Sequence, residues 1–167
     1  TFNGDIGIVT INVNGLRSKQ KELSLFIEYL KTQFSDIVVM LNDTRLHSQT
    51  ECHLPGFYMI RSDKNTNDST SGGSAILLPN NWDAIPIPSL TESQNGFESV
   101  GVIAASPGCK PIKLMCIYNH PQHHIPQHLF NEFSNTTCNN KNIYGFIGGD
   151  LNCPHEAFGS RFTNVYG

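Results

Sequence analysis

The chain has 167 residues, 38% of them hydrophobic and 15% charged, which is one domain's worth of globular sequence and not a disordered one. Its formal net charge of -3 gives no global basic field, so a nucleic-acid partner would have to be met by a local positive groove. No run of eighteen apolar residues predicts a membrane-crossing helix, and the opening TFNGDIG has neither the basic nor the apolar region of a signal peptide.

In chain order, IGIVTINV (6–13) is nearly continuous in apolar and β-branched residues, as expected of a strand covered on both faces. Gly15 breaks it. Ser18 is then expected to cap a helix whose apolar residues Leu23, Phe26, Ile27, Leu30 and Phe34 follow helical spacing. DIVVML (36–41) predicts a second buried strand, so the first forty residues read as strand, helix, strand. Residues 61–72, RSDKNTNDSTSG, read as an exposed polar loop.

SAILLP, FESVGVIAAS (97–106) and KLMCIY (113–118) follow, separated by Asn80-Asn81, Asn95-Gly96 and Pro107-Gly108, and predict three antiparallel neighbours. PQHLFNEFSN (126–135) has a proline at its start and Leu129, Phe130 and Phe133 on one helical face. IYGFIGGD (143–150) is the last strand signal. Pattern alone predicts a mixed sheet core with helices outside and no division within 1–167.

The five cysteines, Cys52, Cys109, Cys116, Cys138 and Cys153, are odd in number and form no C-x-x-C pair. That argues against a disulfide framework or a zinc ribbon and for a reducing compartment, nuclear or cytoplasmic. The histidine-rich HPQHHIPQH (120–128) invites a zinc reading, but two prolines interrupt it and it lacks an HExxH pattern. A polar loop entering the 126–135 helix accounts for it as well.

Polar residues stand at the ends of four strand signals: Asn12 and Asn14, Asn42 and Asp43, Tyr118 and Asn119, Asp150 and Asn152. Each alone is an ordinary turn former. In a layered α/β domain, however, strand ends can converge on one rim. Asp43 offers an anionic oxygen and Asn14 a neutral one, both acceptable to Mg²⁺. Asp150 could orient and deprotonate a water, Asn152 could hold it or a phosphate oxygen, and the Tyr118 hydroxyl could donate to a phosphoryl oxygen. The set suits phosphodiester hydrolysis.

INVNGL (11–16), MLNDTRL (40–46), GGSAILL (72–78), IYNHP (117–121) and GGDLNCPHEAFGSR (148–161) resemble, in order, the motifs of the endonuclease/exonuclease/phosphatase superfamily. More narrowly, they resemble the apurinic-type endonuclease domain of LINE-type (non-LTR, jockey-like) retrotransposons. The resemblance implies a four-layer α/β sandwich, two packed mixed β-sheets flanked by helices. It implies a Mg²⁺-dependent (Mn²⁺ acceptable) DNA endonuclease that nicks target sites. Asn14 and Asp43 would hold the metal, and Tyr118, Asp150 and Asn152 would complete the catalytic set. Asn12 would lie near the phosphate, and Arg45, His155 and Arg161 would face DNA.

The sequence departs from that family in two ways. Asp43 stands where the family usually has Glu, which retracts the carboxylate by roughly 1.5 Å. The family's C-terminal part, with its SDH-like motif, has no counterpart after FTNVYG. The resemblance therefore implies a domain lacking its C-terminal part, with weak or absent nicking by this chain alone. It also implies pairing through the incomplete sheet, as a homodimer or by strand exchange. The alternative is a non-catalytic, self-associating remnant that binds nucleic acid or protein.

Overall fold

The computed structural model describes residues 5–63, 71–94, 96–139, 143–154, 156, 160–161 and 163, without the side chains of 136–139. Strand β1 (Ile6–Asn12), helix α1 (Leu16–Leu30) and strand β2 (Asp36–Asn42) come first, followed by β3 (Phe57–Ser62) and β4 (Ser74–Pro79). Strands β5 (Asp83–Pro86), β6 (Glu92–Gln94), β7 (Phe97–Ala105) and β8 (Ile112–Asn119) precede helix α2 (Gln127–Asn139) and strand β9 (Tyr144–Asp150). A short 3-10 turn, Pro88–Leu90, joins β5 to β6.

Two mixed sheets result. The first has the order β1-β2-β4-β3, with β1 parallel to β2 and the other pairs antiparallel. The second has the order β5-β7-β8-β9, with β6 also on β7 and only β8–β9 parallel. Side chains that alternate along a strand sort into different layers. In β2, Val39 and Leu41 pack outward with Leu16, Leu23 and Ile27 of α1, while Val38 and Met40 face the second sheet. Ala75 and Leu77 of β4 join the α1 layer, and Ile76 and Leu78 join the inter-sheet layer. In β8, Leu114 and Cys116 close that inner layer, while Met115 and Ile117 meet Leu129 and Phe133 of α2. The layers run helix, sheet, sheet, helix, as the resemblance implies, and burial on both faces explains the apolar runs of β2, β4, β7 and β8. Strand β1, expected to be covered on both faces, is only partly buried because it ends the first sheet.

Several expectations need correction. Ser18 does not cap α1: the helix starts at Leu16 behind Gly15, and Ser18 Oγ donates to the Gly15 carbonyl at 3.0 Å. Phe26 is 39% exposed, so the buried stripe of α1 is Leu16, Leu23 and Ile27. SAILLP is antiparallel, but to β2 and β3 of the first sheet and not to FESVGVIAAS. Pairing partners are a tertiary choice that alternation cannot disclose. The 61–72 stretch opens inside β3, and Gly72 at its end is buried; residues 64–70 lie outside the described ones.

Candidate active site

Backbone hydrogen bonds tie the exits of β1 and β2 to the entry of β4. After β1, Val13 N donates to Asn42 O at 3.0 Å, Gly15 N to Asp43 O at 2.9 Å and Leu16 N to Thr44 O at 2.9 Å. Before β4, the Gly73 and Gly72 carbonyls accept from Thr44 N at 3.2 Å and Arg45 N at 2.9 Å. These bonds require sharp turns, and Asn14, Asp43 and Arg45 all take left-handed φ values of 47°, 54° and 53°. Asn and Asp tolerate that region better than most residues, and its occupation marks backbone held by its surroundings.

The turns bring Asn14 to Asp43. Arg45 Nη2 donates to Asn14 Oδ1 and, at 3.1 Å, to Asp43 Oδ2, while Arg45 Nε donates to Asp43 Oδ1 at 3.3 Å. Gly72 N also donates to Asp43 Oδ1 at 2.7 Å. A carboxylate and a carboxamide oxygen thus point at one positive centre, in this case a guanidinium. Hard oxygens converging on one cation fit Mg²⁺ in chemistry. Among the described residues, no three His, Cys, Asp or Glu side chains form a group that could hold a metal, so protein ligands would be few.

The second sheet supplies the opposite half. Asn12 Nδ2 donates to Asp150 Oδ2 at 2.9 Å, and Asn12 Oδ1 accepts from Asn14 N at 3.1 Å, so Asn12 joins β9 to the first sheet's rim. Asp150 is placed by its backbone too: its N–H donates at 3.1 Å to Asn42 Oδ1. Asn42 is fully buried and its Nδ2 donates to Ile117 O at 2.8 Å, so one carboxamide bridges β2, β8 and β9. By sequence Asn42 is only a polar residue at a strand end, without a predicted role. A polar residue next to an apolar run, followed by the metal-type Asp43, was the available signal.

Tyr118 is 6% exposed. Burial, followed by the charges of Asp43, Asp150 and Glu98, pushes its phenol above the ordinary value of 10.0, and a hydrogen bond with Ser71 acts against that rise. Its neighbour across the strands, Glu98, is fully buried, and His120 Nε2 lies 3.3 Å from Glu98 Oε2. The His120 ring packs edge-on against Tyr118 with centroids 4.8 Å apart. His128 pairs separately with Glu92 at 2.7 Å, so these two histidines of the 120–128 loop serve different carboxylates.

Asn152, with φ 47°, donates through Nδ2 to Asn119 O at 2.7 Å, which fixes the exit of β9 against the exit of β8. Asn119 Nδ2 donates in turn to Leu151 O at 3.0 Å and His123 O at 2.7 Å. Arg161 is exposed, and His155 lies outside the described residues. The structure therefore gathers Asn12, Asn14, Asp43, Arg45 and Asp150 through one set of contacts, with Tyr118 between the two acidic groups electrostatically. An open groove of about 510 Å³ along β1 passes Asn12 and Asn14. A groove of about 530 Å³ lined by Cys52, Tyr58 and Arg61 includes none of the site residues.

No protein-family model and no curated protein matches the sequence. Solved structures do match. The AP endonuclease LMAP from Leishmania major is 14% identical with a TM-score of 0.55, over 95% of this chain and 58% of that one. D. rerio TDP2 complexed with a single-strand DNA product is 14% identical with a TM-score of 0.53, over 90% and 61%. The mannosyl-6-phosphatase Bt3783 of Bacteroides thetaiotaomicron is 12% identical with a TM-score of 0.57, over 90% and 66%. At such identities the likeness is one of fold, and the fold is that of endonuclease/exonuclease/phosphatase proteins. The chain spans less than two thirds of the length of each of these structures.

Proposed function

We propose that this chain is a DNA endonuclease domain that hydrolyses a phosphodiester bond with the help of Mg²⁺, Mn²⁺ being an acceptable substitute. The observation that carries the reading is the 2.9 Å bond from Asn12 to Asp150, which joins strand ends of two sheets, 138 residues apart, on one rim. With one carboxylate oxygen held by Asn12, Asp150 takes a proton from a water through the other and aims that water at phosphorus. Asn152 holds the turn that presents Asp150 and borders the water's position. Tyr118, kept neutral, donates from its hydroxyl to a phosphoryl oxygen as charge grows there. Asn14 and Asp43 would hold the divalent cation, which when bound neutralises charge on the phosphate. Arg45, Arg161 and His155 are assigned to the DNA backbone.

A matched structure of this fold, D. rerio TDP2, is complexed with a DNA product, which supports DNA as substrate; the phosphatase supports only phosphoester chemistry in general. The narrower role, target-site nicking for a non-LTR retrotransposon in the nucleus, rests on the order of the five sequence motifs. Nicking of supercoiled plasmid with Mg²⁺ tests the reading. Slow nicking is expected, reduced in Asp150→Ala by at least about a thousandfold. Cleavage that survives Asp150→Ala or the removal of divalent cations would refute the assignment.

A second reading, a self-associating domain that binds without cleaving, is favoured by the exposed edge of β9, where Tyr144 is 65% and Phe146 39% exposed. Under it the protein binds DNA or a protein partner but never nicks.

A further inference from the structure

Asn14 and Asp43 already have a cation between them, and it belongs to the chain. The Arg45 guanidinium donates to the Asn14 carboxamide oxygen and to both oxygens of Asp43. Its side chain is 41% exposed, whereas that of Asp43 is 7% exposed, so the arginine reaches in from solvent onto a nearly buried anion. The anion is fixed independently of it: Gly72 N holds Asp43 Oδ1 at 2.7 Å, and the turn at Asp43 is tied by backbone bonds to both neighbouring turns. The arrangement is a fixed carboxylate beside the exposed Asn14 carboxamide, with a partly exposed guanidinium resting on both. Arginine keeps its charge at any physiological pH, so only movement of the side chain can vacate the position.

We propose that Arg45 is a built-in counter-cation that occupies the divalent-cation position, so that metal entry displaces the guanidinium toward the phosphate at the same rim. The inference rests on reading Asn14 and Asp43 as the cation pair. Two consequences follow from charge alone. Metal and guanidinium compete for the same oxygens, so the free protein binds metal more weakly than the bare pair would. A DNA phosphate that accepts the released guanidinium relieves the competition, so DNA and metal each strengthen binding of the other.

Mn²⁺ binding, followed by the rise in melting temperature during titration, tests this without any need for cleavage. Arg45→Gln retains a hydrogen-bonding side chain and removes the charge, and it should reach half-maximal shift at a Mn²⁺ concentration about fivefold lower than wild type. Arg17→Gln removes an exposed charge from the adjacent turn of α1 and should leave the midpoint unchanged within about twofold. Asp43→Asn should abolish the shift in either background. Equal or weaker Mn²⁺ binding by Arg45→Gln, with wild type binding and Asp43→Asn silent, overturns the inference and leaves the proposed metal pair standing. The same gain in Arg17→Gln also overturns it, because the effect is then one of net charge. If neither wild type nor Arg45→Gln binds Mn²⁺, or binding persists in Asp43→Asn, both the inference and the metal assignment fall.

Discussion

The backbone at residue 43 suits an aspartate. With φ at 54°, the residue occupies a region that short side chains capable of local hydrogen bonding enter at least cost. From there the carboxylate reaches both Gly72 N and Arg45. Tyr118 shows how burial and charge act together on one group. Burial, then Asp43 and Asp150, raise its phenol above 10.0, so the folded state favours the neutral form. That contribution to stability is fully present below the unfolded value and is lost as pH rises through the higher folded one. Denaturant unfolding of wild type and Tyr118→Phe should therefore differ by about 1 kcal/mol near neutrality, from the lost hydroxyl bond. The wild-type advantage should shrink as pH climbs from about 9 past about 10. A difference that stays constant across that range would show that Tyr118 does not feel the two carboxylates.

Between elements, the parallel contact of β8 and β9 aims Asp150. Gly149 lies opposite Ile117 with φ at 145°, and a Cβ there would stand 1.9 Å from the Ile117 carbonyl oxygen. No rotamer relieves a clash with backbone, so the strands would have to separate. Gly149→Ala is expected to cost about 3 kcal/mol or more in a denaturant titration and to remove Asp150 from Asn12. A loss under about 1 kcal/mol would mean that β9 is not held at this register. The same pair explains GGD as a sequence: a Cβ on Gly148 would also meet Thr10 Oγ1 at 2.7 Å. Two glycines let the second sheet close onto the first where the acidic residue is presented. Lys113, fully buried under α2, shows another demand of packing: its Nζ donates to the carbonyls of Glu132 and Phe133 at 3.3 and 3.1 Å. Burial pushes that amine's pKa down.

For the whole molecule, the outer limits of the two sheets matter most. Strand β9 pairs with β8 on one side and ends the order of the second sheet among the described residues. Tyr144 and Phe146, on that strand, and Leu151 just beyond it are 65%, 39% and 37% exposed. An apolar edge strand with free backbone groups is a pairing template. Sedimentation velocity over a wide range of protein concentration should show dimers that grow with concentration, and Phe146→Lys should return the protein to monomer. A monomer across that concentration range would remove the self-associating reading. No described helix is long and apolar enough to cross a membrane.

Much of this was legible in the amino-acid order. The apolar runs at β2, β4, β7 and β8 are legible because strands covered on both faces must be apolar throughout, and β1 and β9 carry similar runs although they stand half-covered at the sheet limits. The amphipathic spacing of α2 placed Leu129 and Phe133 correctly, because one helical face meets one sheet. Strands β3, β5 and β6 escaped notice, since short edge or half-covered strands carry mixed composition. The candidate site divides in the same way. Asn14, Asp43, Tyr118, Asp150 and Asn152 could be singled out from polar groups following apolar runs, a purely local signal. Which of them touch could not. That Asn12 reaches Asp150 and that buried Asn42 carries the Asp150 amide depend on two sheets packing face to face, and that Arg45 rests on Asn14 as well as Asp43 depends on the pairing of β1 with β2. Contacts between residues more than a hundred positions apart are decided by the closure of the inter-sheet core, and no local pattern encodes them.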